Sequence, residues 1–323
     1  MLKRNAETTL RPHLQLQLAL IPAARADFLR WQSELDRGDT RLLQSATAAY
    51  HESISGLKQQ QQELRAQFRA GLRRSDAPSV PQYELRALEQ TAKLEQARAW
   101  LGLAHLTRDA SEQAAAIEQG ETLLKELGDD TIPDEMRLDV RIQLAQCSRL
   151  KGDMTRANYL LRQIEAESPP EWVRDKAMAE RTLMLLKLDR PADAAQQLLA
   201  YRRQRGALPG ELRYLSIRAL VALAKVAEEK NDLQLAGEVR GEIRTQVAAA
   251  VHDVGGYWGA RCRTLLEFSE RAAEYGVELA EIVGTAESLY TQSRNAEALQ
   301  EYARAVAAAQ RLGKTELAAE LAY

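Results

Sequence analysis

The feature of this sequence that most constrains its fold is a regular alternation of helix-forming stretches with short helix-stopping signals. From residue 83 onward the stops are Gly-Asp, Asn-Asp and proline-containing turns, which are typical of helix ends and helix starts. The composition agrees, since 53 alanines and 48 leucines stand against 17 glycines, 9 prolines and 3 phenylalanines. Alanine and leucine are strong helix formers, and strand formers are scarce. We therefore predict an all-α fold without a β-sheet.

The alternation predicts antiparallel helix pairs that stack into an array. The predicted pairs are 83–107 with 111–127, 133–151 with 155–167, 171–188 with 192–204, and 211–229 with 233–251. After an interruption at 252–256, further helices are predicted at 257–275, 277–292, 296–312 and 315–323. Repeated pairs of this kind are typical of an α-solenoid.

The repeat signature is clearest in the segment SRLKGDMTRANYLLRQIEAESP, residues 148–169. It has, in chain order, a Gly152-Asp153 turn, Ala157 at the expected helix crossing, Leu161 and Ile164 at the next packing positions, and Pro169 as terminator. A small residue lets two helices approach, larger ones fill the space beside it, and proline stops the second helix. This pattern resembles the second half of a tetratricopeptide repeat.

A second segment with the same resemblance is AEIVGTAESLYTQSRNAEALQEYARAVAAA, where Ala286, Leu289, Ala298, Tyr302 and Ala305 hold the corresponding positions. The candidate crossing residues Ala157, Ala194, Ala236 and Ala298 are 37, 42 and 62 positions apart, against a family repeat of about 34 residues. The longest spacing predicts an inserted helix. We expect residues 83–323 to form the repeat array, interrupted near 252–275.

The resemblance implies a right-handed α-solenoid whose concave groove binds a peptide or a helix of a partner protein. In this chain the groove would be lined by the helices around Val140, Met178, Ile217 and Ile282. It further implies a non-catalytic scaffold or adaptor. The alternative is a helical regulatory or ligand-binding domain of a larger enzyme.

Residues 1–75 are expected to form a separate N-terminal helical segment, either a hairpin or an arm followed by a long Gln/Arg-rich helix. Apolar or small residues, with a single glutamine among them, recur there at alternating intervals of four and three: Tyr50, Ile54, Leu57, Gln61, Leu64, Phe68 and Gly71. Such a heptad stripe is typical of helix–helix packing. It can pack on the rest of its own chain or form a homodimer, and both alternatives stay open. The stretch 73–82, with two prolines, predicts a boundary.

Charge and hydropathy restrict the partners and the compartment. The 44 Lys and Arg residues nearly balance 46 Asp and Glu residues, for a net charge of −2, so no global field attracts nucleic acid or anionic lipid. No run approaches the roughly 20 apolar residues that span a bilayer. We expect no nucleic-acid partner, no membrane insertion and a cytoplasmic location. A cleaved secretory leader near Ala26 is the minority alternative, because the A-x-A arrangement at 24–26 follows the apolar stretch 14–22.

No motif in the sequence points to catalysis. The four histidines, His13, His51, His105 and His252, are scattered without metal-ligand spacing. Phosphate-binding glycine loops and the hydrolase nucleophile turn are missing from the sequence. Cys147 and Cys262 stand 115 positions apart, without a CxxC spacing, and are expected to be buried thiols. We predict that the chain is not an enzyme and needs no metal or cofactor.

One local cluster is the candidate partner-binding site: Tyr257, Trp258 and Arg261, which follow Gly255-Gly256. The glycines allow a sharp turn, and the three side chains belong to residue types that dominate interface energetics. The structural alternative is that Trp258 plugs a gap in the array, capped by Tyr257 and Arg261. A second candidate interface is the C-terminal end at 315–323, whose Leu317 and Leu321 would be covered by further repeats, by a dimer partner, or by nothing if this helix is itself the cap.

Overall fold

The protein is all-helical in the computed structural model, which describes residues 2–35, 40–73, 80–107, 109–128 and 132–322. Within these residues there are fourteen helices and no strand. The helices are α1 Leu2–Leu35, α2 Thr40–Arg73, α3 Gln82–Leu106, α4 Ala110–Leu127, α5 Asp134–Lys151, α6 Met154–Ala166, α7 Glu171–Lys187, α8 Pro191–Arg205, α9 Gly210–Glu229, α10 Leu233–Asp253, α11 Gly256–Tyr275, α12 Val277–Thr291, α13 Asn295–Arg311 and α14 Thr315–Leu321. Most helices adjacent in sequence pack against each other, for example α3 with α4, α5 with α6, α9 with α10 and α12 with α13. The predictions of an all-α fold and of sequence-adjacent pairs are confirmed.

The chain divides into two compact units, residues 1–31 with 41–173, and residues 32–40 with 174–323. In the first unit, α1, α2 and α3 share one apolar cluster and α3, α4 and α5 share another. The first cluster includes Leu16, Leu57, Leu64 and Leu85, and the second includes Leu101, Ile117, Leu124 and Val140. The helices on both sides of the predicted boundary at 73–82 thus belong to one core, while residues 74–79 lie outside the described residues.

The N-terminal arm is helical. Helix α1 starts at Leu2 and contains Pro12 and Pro22. A proline inside a helix removes a backbone hydrogen bond and disfavours the helix. Burial of Leu16 and Ala26 against α2 and α3 offsets that cost. The sequence also predicts a turn at Gly38-Asp39 between α1 and α2, and both residues lie outside the described residues.

The heptad stripe of α2 packs within its own chain. Tyr50, Ile54, Leu57, Gln61 and Leu64 are buried, and Phe68 is half-buried against the same cluster. The environment of residue 71 lies outside the described residues. Homodimerisation through this stripe would therefore require α2 to leave its core.

The second unit has its core along α7 to α14. Leu198 and Leu212 join α8 to α9, Ile243 joins α10 to this core, and Leu279 belongs to a C-terminal cluster of α12, α13 and α14. Helix α11 packs against α9, α10 and α12. In α14, Leu317 and Leu321 are half-buried against the C-terminal cluster, and residue 323 lies outside the described residues.

Among the described residues, one turn geometry occurs five times between helices. The residue in the left-handed region is Gly152, Asp189, Asn231, Ser293 or Gly313, with φ of 87°, 55°, 60°, 61° and 72° respectively. In every case the next residue donates its N–H to the carbonyl five positions earlier, as Asp153 does to Ser148 at 2.8 Å and Lys314 does to Ala309 at 2.9 Å. This is the Schellman arrangement that satisfies the last carbonyls of a helix.

A buried alanine follows each of these turns at the same distance. It stands five positions after the left-handed residue, as Ala157, Ala194, Ala236, Ala298 and Ala318, each at most 4% exposed. The first four are the crossing residues predicted from the sequence. Ala318 has the same register, although its sequence context did not single it out.

Candidate partner-binding site

The site begins at the turn between α10 and α11. Gly255 has φ 65°, and its carbonyl accepts the N–H of Gly259 at 2.9 Å, which closes the first turn of α11. The end of α10 is tied to α9, because Arg213 Nη1 donates to Asp253 Oδ2 at 2.7 Å. Since a left-handed φ favours glycine, the predicted role of this turn as a sharp change of direction has a physical basis in Gly255.

The three predicted residues come together around the Arg261 guanidinium. Its Cζ lies 4.1 Å from the ring centroid of Tyr214, 5.1 Å from that of Trp258 and 5.6 Å from that of Tyr257. Trp258 and Tyr257 meet edge to face, with centroids 5.0 Å apart. Arg261 is only 7% exposed. A desolvated guanidinium held by aromatic faces is a cation–π arrangement, and we call these four residues the Arg261 cluster.

Trp258 also has a packing role. A Cβ on Gly210, the first residue of α9, would lie 2.2 Å from Trp258 Cδ1. The indole therefore rests directly on the backbone of α9, as the structural alternative expects of this residue. Arg261, in contrast, lines an adjoining groove.

The groove lies between α9, α11 and α12 and has a volume of about 360 Å³. We call it the α11–α12 groove. Its apolar wall includes Tyr214, Leu265 and Phe268, all half-buried. On α12 the wall is formed by small residues one turn apart, Ala280, Gly284 and Ser288. Their size leaves space that larger side chains would fill.

Acidic side chains dominate the exposed rim of the groove. Glu267 and Glu281 are exposed, and Glu287 is half-buried. Arg271 Nη2 lies 2.6 Å from Glu287 Oε2, and Arg271 Nη1 would be 3.6 Å from a Cβ on Gly284. Arg271 thus reaches from α11 to α12 and pairs with the Glu287 carboxylate.

The sequence predicts some residues of this site but not others. Val140 and Ile217, expected near a groove, are buried core residues, while Met178 and Ile282 are half-buried against the core. The helices of Ile217 and Ile282 do line the groove, through Tyr214 and Gly284. Gly284 could have been singled out from the sequence, because a glycine inside a helical pattern costs stability and commonly has a packing reason.

The two thiols of the chain, Cys147 and Cys262, lie in the core. Both cysteines are buried and free, and burial, opposed by the nearby Arg261 and Arg213, raises the pKa of Cys262 to about 11. The thiol is therefore protonated near neutral pH, and a protonated thiol is a weak nucleophile. In the part of the chain that the structure describes, no three His, Cys, Asp or Glu side chains form a group that could hold a metal ion.

The same described residues contain no helix long and apolar enough to cross a bilayer. Comparison with protein-family models, with curated proteins and with solved structures finds no match for this chain.

Proposed function

We propose that the protein is a non-catalytic interaction scaffold that binds a basic, partly apolar segment of a partner protein in the α11–α12 groove. The observation that carries the proposal is an open groove with an aromatic wall, a strip of small residues and an acidic rim. The cation of Arg261 is buried among three rings, and that of Arg271 is bound to Glu287. Glu267 and Glu281 are exposed at the rim, where an incoming segment meets their carboxylates.

The shape of the groove indicates how such a segment would sit. Because Gly284 presents no side chain, an apolar side chain of the partner can enter beside Phe268 and Leu265 while its basic neighbours remain at the rim. Burial of apolar area supplies most of the affinity, and complementary rim charges supply orientation and association rate.

The proposal extends to the finer architecture. We propose that the helix pairs are antiparallel and form a right-handed, tetratricopeptide-like solenoid, supported by the five equivalent turns and the alanine that follows each of them. A concave groove that binds a peptide or a helix of a partner protein is what the resemblance implies. A cytoplasmic location belongs to the same proposal.

The experiment uses a fluorescein-labelled peptide of alternating lysine and leucine, and the same peptide with glutamine in place of lysine. Fluorescence anisotropy with the full chain should show the lysine peptide binding at least ten-fold more tightly than the glutamine peptide. Gly284→Leu fills the groove and should weaken binding of the lysine peptide at least ten-fold. Gly237→Leu makes the same change at an exposed helical glycine of α10 with open space around it, and should leave binding unchanged.

A second pair of variants tests the rim. Glu267→Lys with Glu281→Lys should weaken binding of the lysine peptide, whereas Glu118→Lys, at an exposed residue of α4, should have little effect. The proposal is overturned if Gly284→Leu binds as the parent chain does, or if the glutamine peptide binds equally well. Circular dichroism of each variant checks that the helices are intact.

A further inference from the structure

Helix α1 has a second apolar face that points away from its own core. Leu10, Leu14, Leu18, Ile21 and Phe28 are each between 50% and 64% exposed. On the opposite side, Leu16 and Ala26 are buried against α2 and α3. Five large apolar side chains along one face of one helix form a continuous patch, and such patches mark interaction sites.

The exposed face has the period of a coiled-coil seam. Leu14, Ile21 and Phe28 are seven residues apart, and Leu10, Gln17 and Ala24 each precede one of them by four. All six are exposed. Alternation of four and three keeps a narrow apolar strip facing a single partner helix. A helix that lies on a bilayer presents a broader apolar face, so the seam favours another helix as the occupant.

The charges beside the seam are basic. Arg11 and Arg25 are exposed, stand fourteen residues apart and follow seam positions directly. From Leu10 to Phe28, the only acidic residue is Asp27, which is half-buried and accepts a hydrogen bond from Tyr50 Oη at 2.5 Å. Positions next to a coiled-coil seam select partners through their charges.

The same two arginines disfavour a second copy of this chain. An antiparallel pair of α1 helices centred on Leu18 places Arg11 of one copy opposite Arg25 of the other, because eleven and twenty-five are equidistant from eighteen. A parallel pair in register places identical arginines at the same level. Like charges at these positions destabilise the pair. A helix with acidic residues beside its own seam meets both arginines favourably.

From this arrangement we propose that the outer face of α1 binds an acidic amphipathic helix of a partner protein in the manner of a coiled coil. The surface consists of the seam Leu10, Leu14, Gln17, Ile21, Ala24 and Phe28 with the flanking Arg11, Leu18 and Arg25. It is independent of the α11–α12 groove and uses no residue of that site.

The test uses two synthetic heptad peptides with leucine at both seam positions, one with glutamate and the other with lysine at the flanking positions. Anisotropy with the full chain at low salt should show the glutamate peptide binding at least ten-fold more tightly, with affinity falling as salt rises. In the full chain, Leu14→Gln with Ile21→Gln should abolish the tighter binding of the glutamate peptide. Leu299→Gln, at an exposed leucine of α13 that is 71% exposed, is the matched control and should change nothing.

Reversing the two charges beside the seam tests most directly whether they select the partner. Arg11→Glu with Arg25→Glu should reverse the preference, so that the lysine peptide binds more tightly than the glutamate peptide. Equal binding of both peptides by the parent chain overturns the proposal. Two other results also overturn it: a dimer in sedimentation that Leu14→Gln with Ile21→Gln dissolves, or binding of the parent chain to anionic phosphatidylglycerol vesicles in preference to the glutamate peptide.

Discussion

Replacing Gly210 with alanine tests how the Arg261 cluster is assembled. The new Cβ would lie 2.2 Å from Cδ1, 2.4 Å from Cγ and 2.9 Å from Nε1 of Trp258. Carbon atoms in contact are normally about 3.5–4.0 Å apart, so the indole must retreat by about 1.3 Å. That movement disturbs its edge-to-face contact with Tyr257, now 5.0 Å between centroids, and its contact with Arg261 at 5.1 Å.

The expected cost combines two effects. Overpacking of a filled site costs about 1–3 kcal/mol. The gain in helix propensity, about 0.5–1 kcal/mol for glycine to alanine inside a helix, is smaller here because Gly210 is the first residue of α9. We expect a net loss of about 1–3 kcal/mol of unfolding free energy, which lowers the melting temperature by on the order of 2–10 °C.

Thermal unfolding followed by circular dichroism and tryptophan fluorescence measures this loss. The control is Gly237→Ala, in the interior of α10 with nothing near its Cβ position, which should stabilise the chain by about 0.5–1 kcal/mol. In a Trp258→Ala background the obstruction is gone, so Gly210→Ala should cost almost nothing. Equal costs of Gly210→Ala in the two backgrounds would refute the contact between the indole and α9.

Three further predictions concern other parts of the chain. Ala157→Leu should destabilise by about 1–3 kcal/mol because Ala157 is 1% exposed; thermal unfolding unchanged within a degree would contradict the turn register. Burial of Glu121 opposes its ionisation, but hydrogen bonds from Lys125 and Lys151 outweigh this and lower its pKa below 4.5. The ionised carboxylate therefore contributes stability that is present above the unfolded-state pKa and is lost as the pH falls through the lower folded-state pKa. Urea unfolding measured at several pH values should show this loss in the parent chain but not in Glu121→Gln. The same dependence of unfolding free energy on acid pH in both proteins would contradict the prediction. Iodoacetamide at pH 8 should label Cys147 and Cys262 only after unfolding, since both are buried; rapid labelling of the folded chain, read by mass spectrometry, would contradict the packing.

The turns show what could be predicted from the sequence. Gly152 and Asn231 predict their turns from the sequence, because glycine and asparagine tolerate positive φ better than other residues. Asp189 and Ser293 adopt the same geometry, at 55° and 61°, but neither residue type is diagnostic of it. Their conformation follows from the helices that must pack on either side, which is a tertiary effect.

The Arg261 cluster also contains residues that the sequence predicts together and one that only the tertiary structure adds. Tyr257, Trp258 and Arg261 were predicted together because one turn of helix joins them. Tyr214 stands 43 positions before Tyr257 and reaches the cluster only because α11 packs on α9. In α1, too, Pro12 and Pro22 disfavour a helix locally, whereas packing against α2 and α3 favours a continuous helix.

The five equivalent turns have a consequence for the kinetics of folding. Helices joined by identical turns can exchange partners while the chain is still collapsing, and mispairing of similar modules is a common trap in repeat proteins. In this chain the left-handed residues are separated by 37, 42, 62 and 20 positions. A helix that docks one module too far along therefore meets a neighbour of the wrong length and leaves apolar surface in water. Unequal intervals therefore destabilise mispaired intermediates. Each correct contact between neighbouring helices still requires closure of only a short loop of chain.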